Sequence, residues 1–332
     1  MNSNPLVSII LPVYNGHDYL VASITSIIDQ TYTHFELIII NDASSDDSLT
    51  IIEEIDDNRI RLINNENNLG LIKTLNKGLA LSNGKYIARM DQDDISLKNR
   101  IQEQVNYMET HRDIGISGTY IARFIDNQHI RIAKVPTNPA IIKCKLLFKN
   151  CLAHPSTIIR KDVLETNNLS YNQKHTAAED YGLWQKASFH TNISNLPKVL
   201  LKYRENPLGM SAIADDKKNK SKRANIYKII YKQGLIHLGL NPTEDELALH
   251  LLCSSNNALN LSKLKKIEVY LLKLKRLNMN NKVYEVFYFN SLLNSIWFKS
   301  CMNCQDLKIK KIFVYLKSEL SNNGNPFLFR SL

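Results

Sequence analysis

The sequence predicts an α/β protein: a doubly wound, mostly parallel sheet followed by a helical, basic C-terminal segment. Three observations predict it. Over the first 110 residues, short apolar runs alternate with helix-periodic stretches, the signature of successive strand–helix–strand units. Polar clusters stand where three of those apolar runs end, and ligands of such sheets bind beyond the carboxyl ends of the strands. From Lys217 onward the periodicity is helical throughout, and the charge balance changes with it.

Val7–Val13 is a continuous apolar strand, and Asp18–Gln30 follows with Leu20, Ile24, Ile27 and Ile28 at helical spacing. Phe35–Ile40 is the second strand. Ser45-Asp46-Asp47 starts a helix carrying Leu49, Ile51, Ile52 and Ile55. Arg61–Ile63 is a weaker third strand, Leu71–Leu81 a helix closed by Asn83-Gly84, Lys85–Asp91 the fourth strand, and Leu97–Thr110 a helix. Residues 114–134 read as a strand pair turning near Asp126-Asn127. Pro139–Lys149 is helical, Ser156–Arg160 a strand, Ala178–Ser188 a helix and Val199–Tyr203 extended. A boundary near Met210–Asp216 divides the chain into residues 1–212 and 213–332.

The chain has 332 residues, 44% of them hydrophobic, which suits a packed core rather than disorder. No apolar stretch approaches the roughly 20 residues that span a bilayer. The N-terminus lacks a basic region and a cleavage pattern, so a cytoplasmic protein is expected. The net charge of +10 is unevenly placed: residues 1–212 hold 22 Lys+Arg and 23 Asp+Glu, residues 213–332 hold 20 and 9. An excess confined to one segment points to an anionic partner there. Five cysteines make no disulfide framework, and Cys301-Met302-Asn303-Cys304 lacks a second ligand pair for zinc. Reduced cysteines on a helix face are expected.

Asp91-Gln92-Asp93-Asp94 carries the most chemistry. Residues i and i+2 of an extended chain share a side, so Asp91 and Asp93 project together from the fourth strand. Converging carboxylates repel unless a cation lies between them, and their hard oxygens suit Mg²⁺ or Mn²⁺ with positions left for phosphate oxygens. An acidic surface turn is the plain alternative. Tyr14 and Asn15 can stack on and bond to a base, or simply form a turn. Asp42 either accepts from a base or ribose or caps the next helix. Asn68 and Gly70 suit a tight backbone, and Lys73 in the next helical turn can reach a phosphate or remain solvated. His154 precedes a strand that can carry it towards the same cleft. Glu179-Asp180 stands at a helix start, where the backbone dipole favours carboxylates and where one can serve as general base. Trp184, one turn later, shares a face with Asp180 and offers a ring for a sugar.

Pro12-Val13-Tyr14-Asn15, Asn41-Asp42-Ala43-Ser44, the Asn68/Gly70 segment, Asp91-Gln92-Asp93-Asp94 and Glu179-Asp180 stand in the order and spacing of family 2 inverting glycosyltransferases. The chain resembles the bacterial O-antigen, capsule and lipopolysaccharide sugar transferases over about residues 5–211, with Tyr203-Arg204 and Ser211 similar to the family's closing motif. Glu205-Asn206-Pro207 departs from it, since many members carry a nearby His; Arg204 is the cation that remains. The resemblance implies a GT-A fold, a nucleotide-sugar donor, with UDP-hexose or UDP-N-acetylhexosamine expected, and Mn²⁺ or Mg²⁺. By carry-over, Pro12, Val13, Tyr14, Asn15 and Asp42 surround the nucleoside, with Asn68, Lys73, Gln92 and Arg204 around the rest of the donor. Asp91 lies on the nucleoside side, Asp93 binds the metal with Asp91 beside it, and Asp180 is the base with Glu179 as neighbour or substitute.

The basic segment, with Lys263, Lys265, Lys266, Lys273, Lys275 and Arg276 interleaved with Leu261, Leu264, Ile267, Leu271, Leu272 and Leu274, is expected either to dock on an anionic membrane surface near a lipid-linked saccharide acceptor or to form a bundle with a solvated basic face. A nucleic-acid-binding protein is the rival from another class, and it lacks a zinc-finger or RNA-binding signature. A metal-dependent nucleotidyltransferase is the rival among enzymes. No Gly-rich phosphate loop supports an ATPase or dehydrogenase.

Overall fold

The computed structural model describes residues 4–125, 128–207, 209, 212, 216, 218–255, 258–322 and 324–329. The expected turn at Asp126-Asn127, most of the expected boundary Met210–Asp216, Ser211 and Lys217 lie outside them. In chain order the elements are β1 (Val7–Val13), α1 (His17–Ile28), β2 (Phe35–Asn41), α2 (Ser48–Glu53), β3 (Ile60–Asn64), α3 (Leu71–Leu81), β4 (Tyr86–Arg89), β5 (Ile95–Ser96) and α4 (Arg100–Thr110). Then come β6 (Ile114–Ile125), β7 (Gln128–Ala133), α5 (Pro139–Leu146), β8 (Ile158–Arg160), α6 (Lys161–Thr166), α7 (Glu179–Ala187) and β9 (Asn192–Arg204). Among the described residues there follow α8 (Lys220–Leu238), α9 (Glu244–Cys253), α10 (Leu261–Asn281), α11 (Val286–Asn303) and α12 (Lys311–Lys317).

Two compact units are present. The first comprises Met1–Thr137, Leu152–Leu183 and Ala187–Asn219; the second comprises Asn138–Cys151, Trp184–Lys186 and Lys220–Leu332. The second unit is therefore more than a C-terminal appendage, since it takes in α5 from the middle of the chain.

The first unit is built on one sheet with strand order β3-β2-β1-β4-β8-β6-β9-β5, and β7 pairs with β6. Strands β1 to β4 pair in parallel, as their continuous apolar sequences predict. Every residue of β1 is buried, as expected of a strand covered on both faces. Leu20, Ile24 and Ile27 of α1 pack into the same core, each contributing about 1.5–3 kcal/mol of burial. Gly78 of α3 allows a close approach: a Cβ there would lie 2.6 Å from Ile10 Cγ2. Beyond β4 the sheet becomes mixed. Strand β8 runs antiparallel to β4 and β6, β9 runs parallel to β6, and β5 runs antiparallel to β9. The sheet is mostly parallel, and every antiparallel pairing involves a strand after β4. Strand β9 begins at Asn192, earlier than its apolar end suggests, and the short β5 and α6 carry too little periodicity to show in sequence.

The second unit is helical. Asn138 caps α5, accepting from Ala140 N and Ile141 N, and Thr243 with Glu246 forms a capping box at α9. His250 is fully buried between Phe148, Tyr231 and Tyr270, bonded to Tyr270 Oη (2.7 Å) and Leu147 O (2.9 Å). Burial pushes its pKa down to about 3, so it is a neutral core residue. All five cysteines are buried thiols outside any disulfide. Among the described residues, no helix is long and apolar enough to cross a membrane.

Candidate active site

The parallel register brings four strand ends to one edge. Val13 lies opposite Asn41, Asn41 opposite Asn64, and Arg89 opposite Ile10. The loops leaving these strands are tied together by their own polar groups. Gln92 clips the turn after β1: its Oε1 accepts from Tyr14 N (2.9 Å) and its Nε2 donates to Tyr14 O (3.1 Å). Gly16 is required beneath it, because a Cβ there would lie 2.7 Å from Gln92 Oε1. Asn15 N donates to Ser44 Oγ (3.1 Å), Ser45 N to Asn15 Oδ1 (2.8 Å), and Gly16 N to Ser48 Oγ (2.8 Å). Asn15 (φ 48°) and Ala43 (φ 58°) both occupy the left-handed region, a strain that persists only where surrounding bonds enforce it.

Asp42 is 3% exposed, and both its oxygens serve the loop after β3. They accept from Asn65 Nδ2 (2.7 Å), Leu69 N (2.8 Å) and Gly70 N (2.9 Å). Asn68 Oδ1 adds a bond from Gly70 N (3.0 Å). Asp42 and Asn68 therefore shape this edge, and Lys73 is exposed in the first turn of the helix that follows. Pro12 and Val13 are buried within β1, and Val13 O accepts from Asp42 N (2.8 Å). Of that motif only Tyr14 (47% exposed) and Asn15 present side chains to solvent.

The acidic tetrapeptide is organised around a residue the sequence reading passed over. Arg89 is 4% exposed, and its guanidinium donates to Met90 O and to the Asp91 carboxylate. Arg100, fully buried, donates to Arg89 O (2.6 Å) and Gln104 Oε1 (3.0 Å). Asp94 Oδ1 accepts from Arg204 N (2.8 Å), while its buried Oδ2 has no partner among the described residues. Arg204 also donates from Nε to Asp93 O (2.8 Å), and its guanidinium lies over Tyr19 and Phe124 (4.1 and 4.4 Å to the ring centres). Burial, then the neighbouring charge of Asp91, raises Asp93 to about 6, an effect opposed by Arg89 and by a bond with Asn206. Asp94 rises well above the usual carboxylate range for the same reasons.

Glu179-Asp180 opens α7 in the same electrostatic neighbourhood. The charges of Arg89 and Asp91 both act on Glu179. Glu179 is 7% exposed, and its Oε2 has no partner among the described residues. Burial, then the charge of Asp180, raises it to about 7. His154 Nδ1 lies 4.0 Å from Glu179 Oε1, and its Nε2 lies 2.8 Å from Tyr171 Oη. Burial and the Arg89 charge hold His154 well below the usual imidazole range, so a neutral ring faces Glu179. Asp180 is half-buried, and its Oδ1 accepts from Tyr181 N (2.6 Å). Ala177, two residues before Glu179, is a third left-handed residue beside the site (φ 61°).

One expectation is corrected. Trp184 is completely buried, so it offers no ring face to a sugar. Its i, i+4 relation to Asp180 is real, but Tyr181, Leu183 and Ala187 are buried with it, and that part of α7 belongs to the core. Arg89, Tyr171 and Ser48 went unread, and Ser44, Ser45 and Asn206 were named without these bonds. The signal for Arg89 was present: with Asp91 and Asp93 it completes an i, i+2, i+4 row.

As to a cation, Asp91 and Asp93 are oxygen donors whose mutual repulsion raises the latter, which suits a hard divalent ion. Among the described residues no three His, Cys, Asp or Glu converge into a metal cage. The set offers a divalent ion two neighbouring carboxylates, those of Asp91 and Asp93.

A family profile described as "Glycosyl transferase family 2" matches residues 8–167. An uncharacterized glycosyltransferase of Haemophilus influenzae is 36% identical, covering 71% of this chain and 77% of the relative. The Escherichia coli UDP-Glc:alpha-D-GlcNAc-diphosphoundecaprenol beta-1,3-glucosyltransferase WfgD is 35% identical over 66% of this chain and 83% of its own length. Among solved structures, the S. aureus TarS 1-349 complex with UDP-GlcNAc superposes with a TM-score of 0.60 at 17% identity, covering 95% of this chain and 90% of TarS. The Pyrobaculum calidifontis mannosyltransferase PcManGT, in complex with GDP-Man and Mn²⁺, gives 0.53 at 16%, covering 90% and 88%. The structural likeness establishes a GT-A-like fold, and the sequence likeness establishes that this chain belongs to glycosyl transferase family 2.

Proposed function

We propose that this chain is an inverting glycosyltransferase that moves a hexose or N-acetylhexosamine from a UDP-sugar to a hydroxyl of a lipid-linked saccharide in surface-polysaccharide synthesis. The observation that carries this reading is the meeting of two acidic clusters around buried Arg89, one tied to guanidinium groups and one holding Glu179 beside a neutral His154. Supporting the donor and acceptor classes are the printed activity of WfgD and the UDP-GlcNAc bound by TarS.

Tyr14 and Asn15 would meet the nucleoside at the edge that Gln92 and Asp42 hold in place, with Lys73 and Arg204 available to phosphate. Asp93, beside Asp91, would hold Mn²⁺ or Mg²⁺, which supplies positive charge to the leaving diphosphate when bound. Asp180 is more exposed than Glu179 and accepts the proton of the acceptor hydroxyl. That oxygen bonds to the anomeric carbon from the face opposite the departing diphosphate, whose C–O bond breaks as the new one forms. The centre inverts, so an α-linked donor gives a β-glycoside. Glu179, able to hold a proton near neutral pH, and His154 keep Asp180 from meeting a second full negative charge. A lipid-linked acceptor would put the chain at the cytoplasmic face of the plasma membrane.

A donor screen with Mn²⁺ or Mg²⁺ that follows nucleoside diphosphate release tests this. A UDP-sugar should release UDP even without the acceptor. Release of sugar 1-phosphate from the donor instead, or of inorganic pyrophosphate from a nucleoside triphosphate, would assign a nucleotidyltransferase.

A further inference from the structure

The membrane contact expected of a lipid-linked acceptor was read from the sequence of α10, and the structure does not favour that helix. Leu264, Ile267, Leu271 and Leu274 of α10 are buried, and Lys263, Lys265 and Lys266 form a solvated basic face beside them. Its apolar side is already used in the core.

The last helix shows the reverse arrangement. Ile309 stands in the short 3₁₀ turn Lys308–Lys310 that leads into α12, and Ile312, Phe313 and Leu316 follow on one face of α12. They are 95%, 59%, 59% and 62% exposed. Tyr315, on the other side of α12, is 8% exposed and gives its hydroxyl to Asn294 Oδ1 (2.7 Å). So α12 is anchored by its opposite face and turns its apolar stripe outward. Lys308, Lys310 and Lys317 flank the stripe, Lys311 donates to Met302 O (2.6 Å), and no acidic residue interrupts positions 308–317. The Lys317 ammonium lies 4.2 Å from the centre of the Phe313 ring, a long side chain lying along apolar surface with its charge at the rim. The apolar character continues inward: Phe298 meets Tyr315 edge-on (5.1 Å) and Phe327 (5.9 Å). Phe298 and Phe327 also line a cavity of about 370 Å³ whose walls include Lys149 and Lys299.

We infer that residues 308–317 are an interfacial segment that docks this protein on an anionic lipid bilayer, with Ile309, Ile312, Phe313 and Leu316 among the acyl chains and the lysines at the headgroups. An apolar helix face ringed by lysines has the chemistry of such segments, and lysines near anionic headgroups add attraction that salt weakens. A second copy is a poor occupant, because the same face would set lysines against lysines. The inference rests on the lipid-linked acceptor of the proposed function.

The test is flotation of the full chain with phosphatidylcholine vesicles, with and without phosphatidylglycerol, alongside donor hydrolysis in free solution. The wild type should float with the anionic vesicles, and Ile312→Ser/Phe313→Ser should lower partitioning at least tenfold. Lys263→Glu/Lys266→Glu should change it less than threefold, and all three proteins should hydrolyse donor at one rate. Equal flotation of the wild type and the Ile312/Phe313 variant, or flotation of neither, overturns the inference. So does a Phe313-dependent dimer in sedimentation without vesicles. Absent donor hydrolysis with intact, Phe313-dependent flotation would instead count against the glycosyltransferase chemistry alone.

Discussion

The two acidic clusters of the catalytic edge are alike in sequence and unlike in surroundings. Asp91, Asp93 and Asp94 lie against Arg89, with Arg100 behind it, and two of them take bonds from Arg204 through carboxylate or backbone oxygen. Glu179 faces a neutral His154, itself hydrogen-bonded to Tyr171, and Asp180 accepts from Tyr181 N. The difference separates two tasks. A cluster braced by fixed cations keeps its carboxylates together and ready for a further cation. A cluster whose Glu179 is buried beside a neutral imidazole can exchange a proton near neutral pH.

The comparison breaks most readily at Arg89. Arg89→Met leaves Asp91 and its neighbours without their buried cation and should cost about 3 kcal/mol in urea unfolding. Because Arg89 holds Asp93 and Glu179 down, the loss should grow as pH rises through their folded values and shrink in acid. An equal loss at pH 5 and pH 8 would remove Arg89 from the account.

Glu179 tests the second cluster. Its folded value is about 7, above that of an unfolded glutamate, so between roughly pH 4.5 and 7 the folded state keeps a proton the unfolded state has lost. Its contribution to stability therefore falls as pH rises through that window and stays at its lower level above it. Glu179→Gln should abolish that slope and leave the ligand-free protein more stable than wild type at pH 8, by on the order of 2 kcal/mol. Unchanged pH dependence in urea unfolding would contradict the assignment.

Gln92 is a smaller test of the donor edge. Gln92→Ala removes both bonds to the Tyr14 backbone, worth about 1 kcal/mol. It should raise the donor KM several-fold with kcat nearly unchanged; the opposite split would place Gln92 in the chemistry. Ala43→Gly should do least. Relief of left-handed strain, about 1 kcal/mol, nearly offsets the added freedom of the unfolded chain, so the urea stability should shift by less than about 0.5 kcal/mol.

The legible part of this molecule was its local pattern. The runs Val7–Val13 and Phe35–Ile40 could only be buried strands, and their polar ends announced an edge for ligands. Pairings that join distant segments were not legible: β8 between β4 and β6, or α5 within the helical unit, leave no periodic trace. Side-chain direction was half legible. Alternation aligned Asp91 with Asp93 and would have added Arg89, had an arginine inside an apolar strand been asked for its partner. Helical spacing put Trp184 on the Asp180 face, yet spacing does not say which face meets the core. The same limit misdirected the membrane reading, because α10 and α12 are both basic and apolar and only burial shows which stripe is spent.

The most direct test of two clusters with two tasks is Mn²⁺-dependent nucleoside diphosphate binding, by titration calorimetry, to Asp93→Ala and Asp180→Asn, with sugar transfer measured on each. Both variants should fold and both should lose transfer, Asp180→Asn by at least a hundredfold. Asp180→Asn should keep the Mn²⁺-dependent binding, and Asp93→Ala should lose it. Near-wild-type turnover by Asp180→Asn, or equal loss of binding in both variants, would contradict the division of labour.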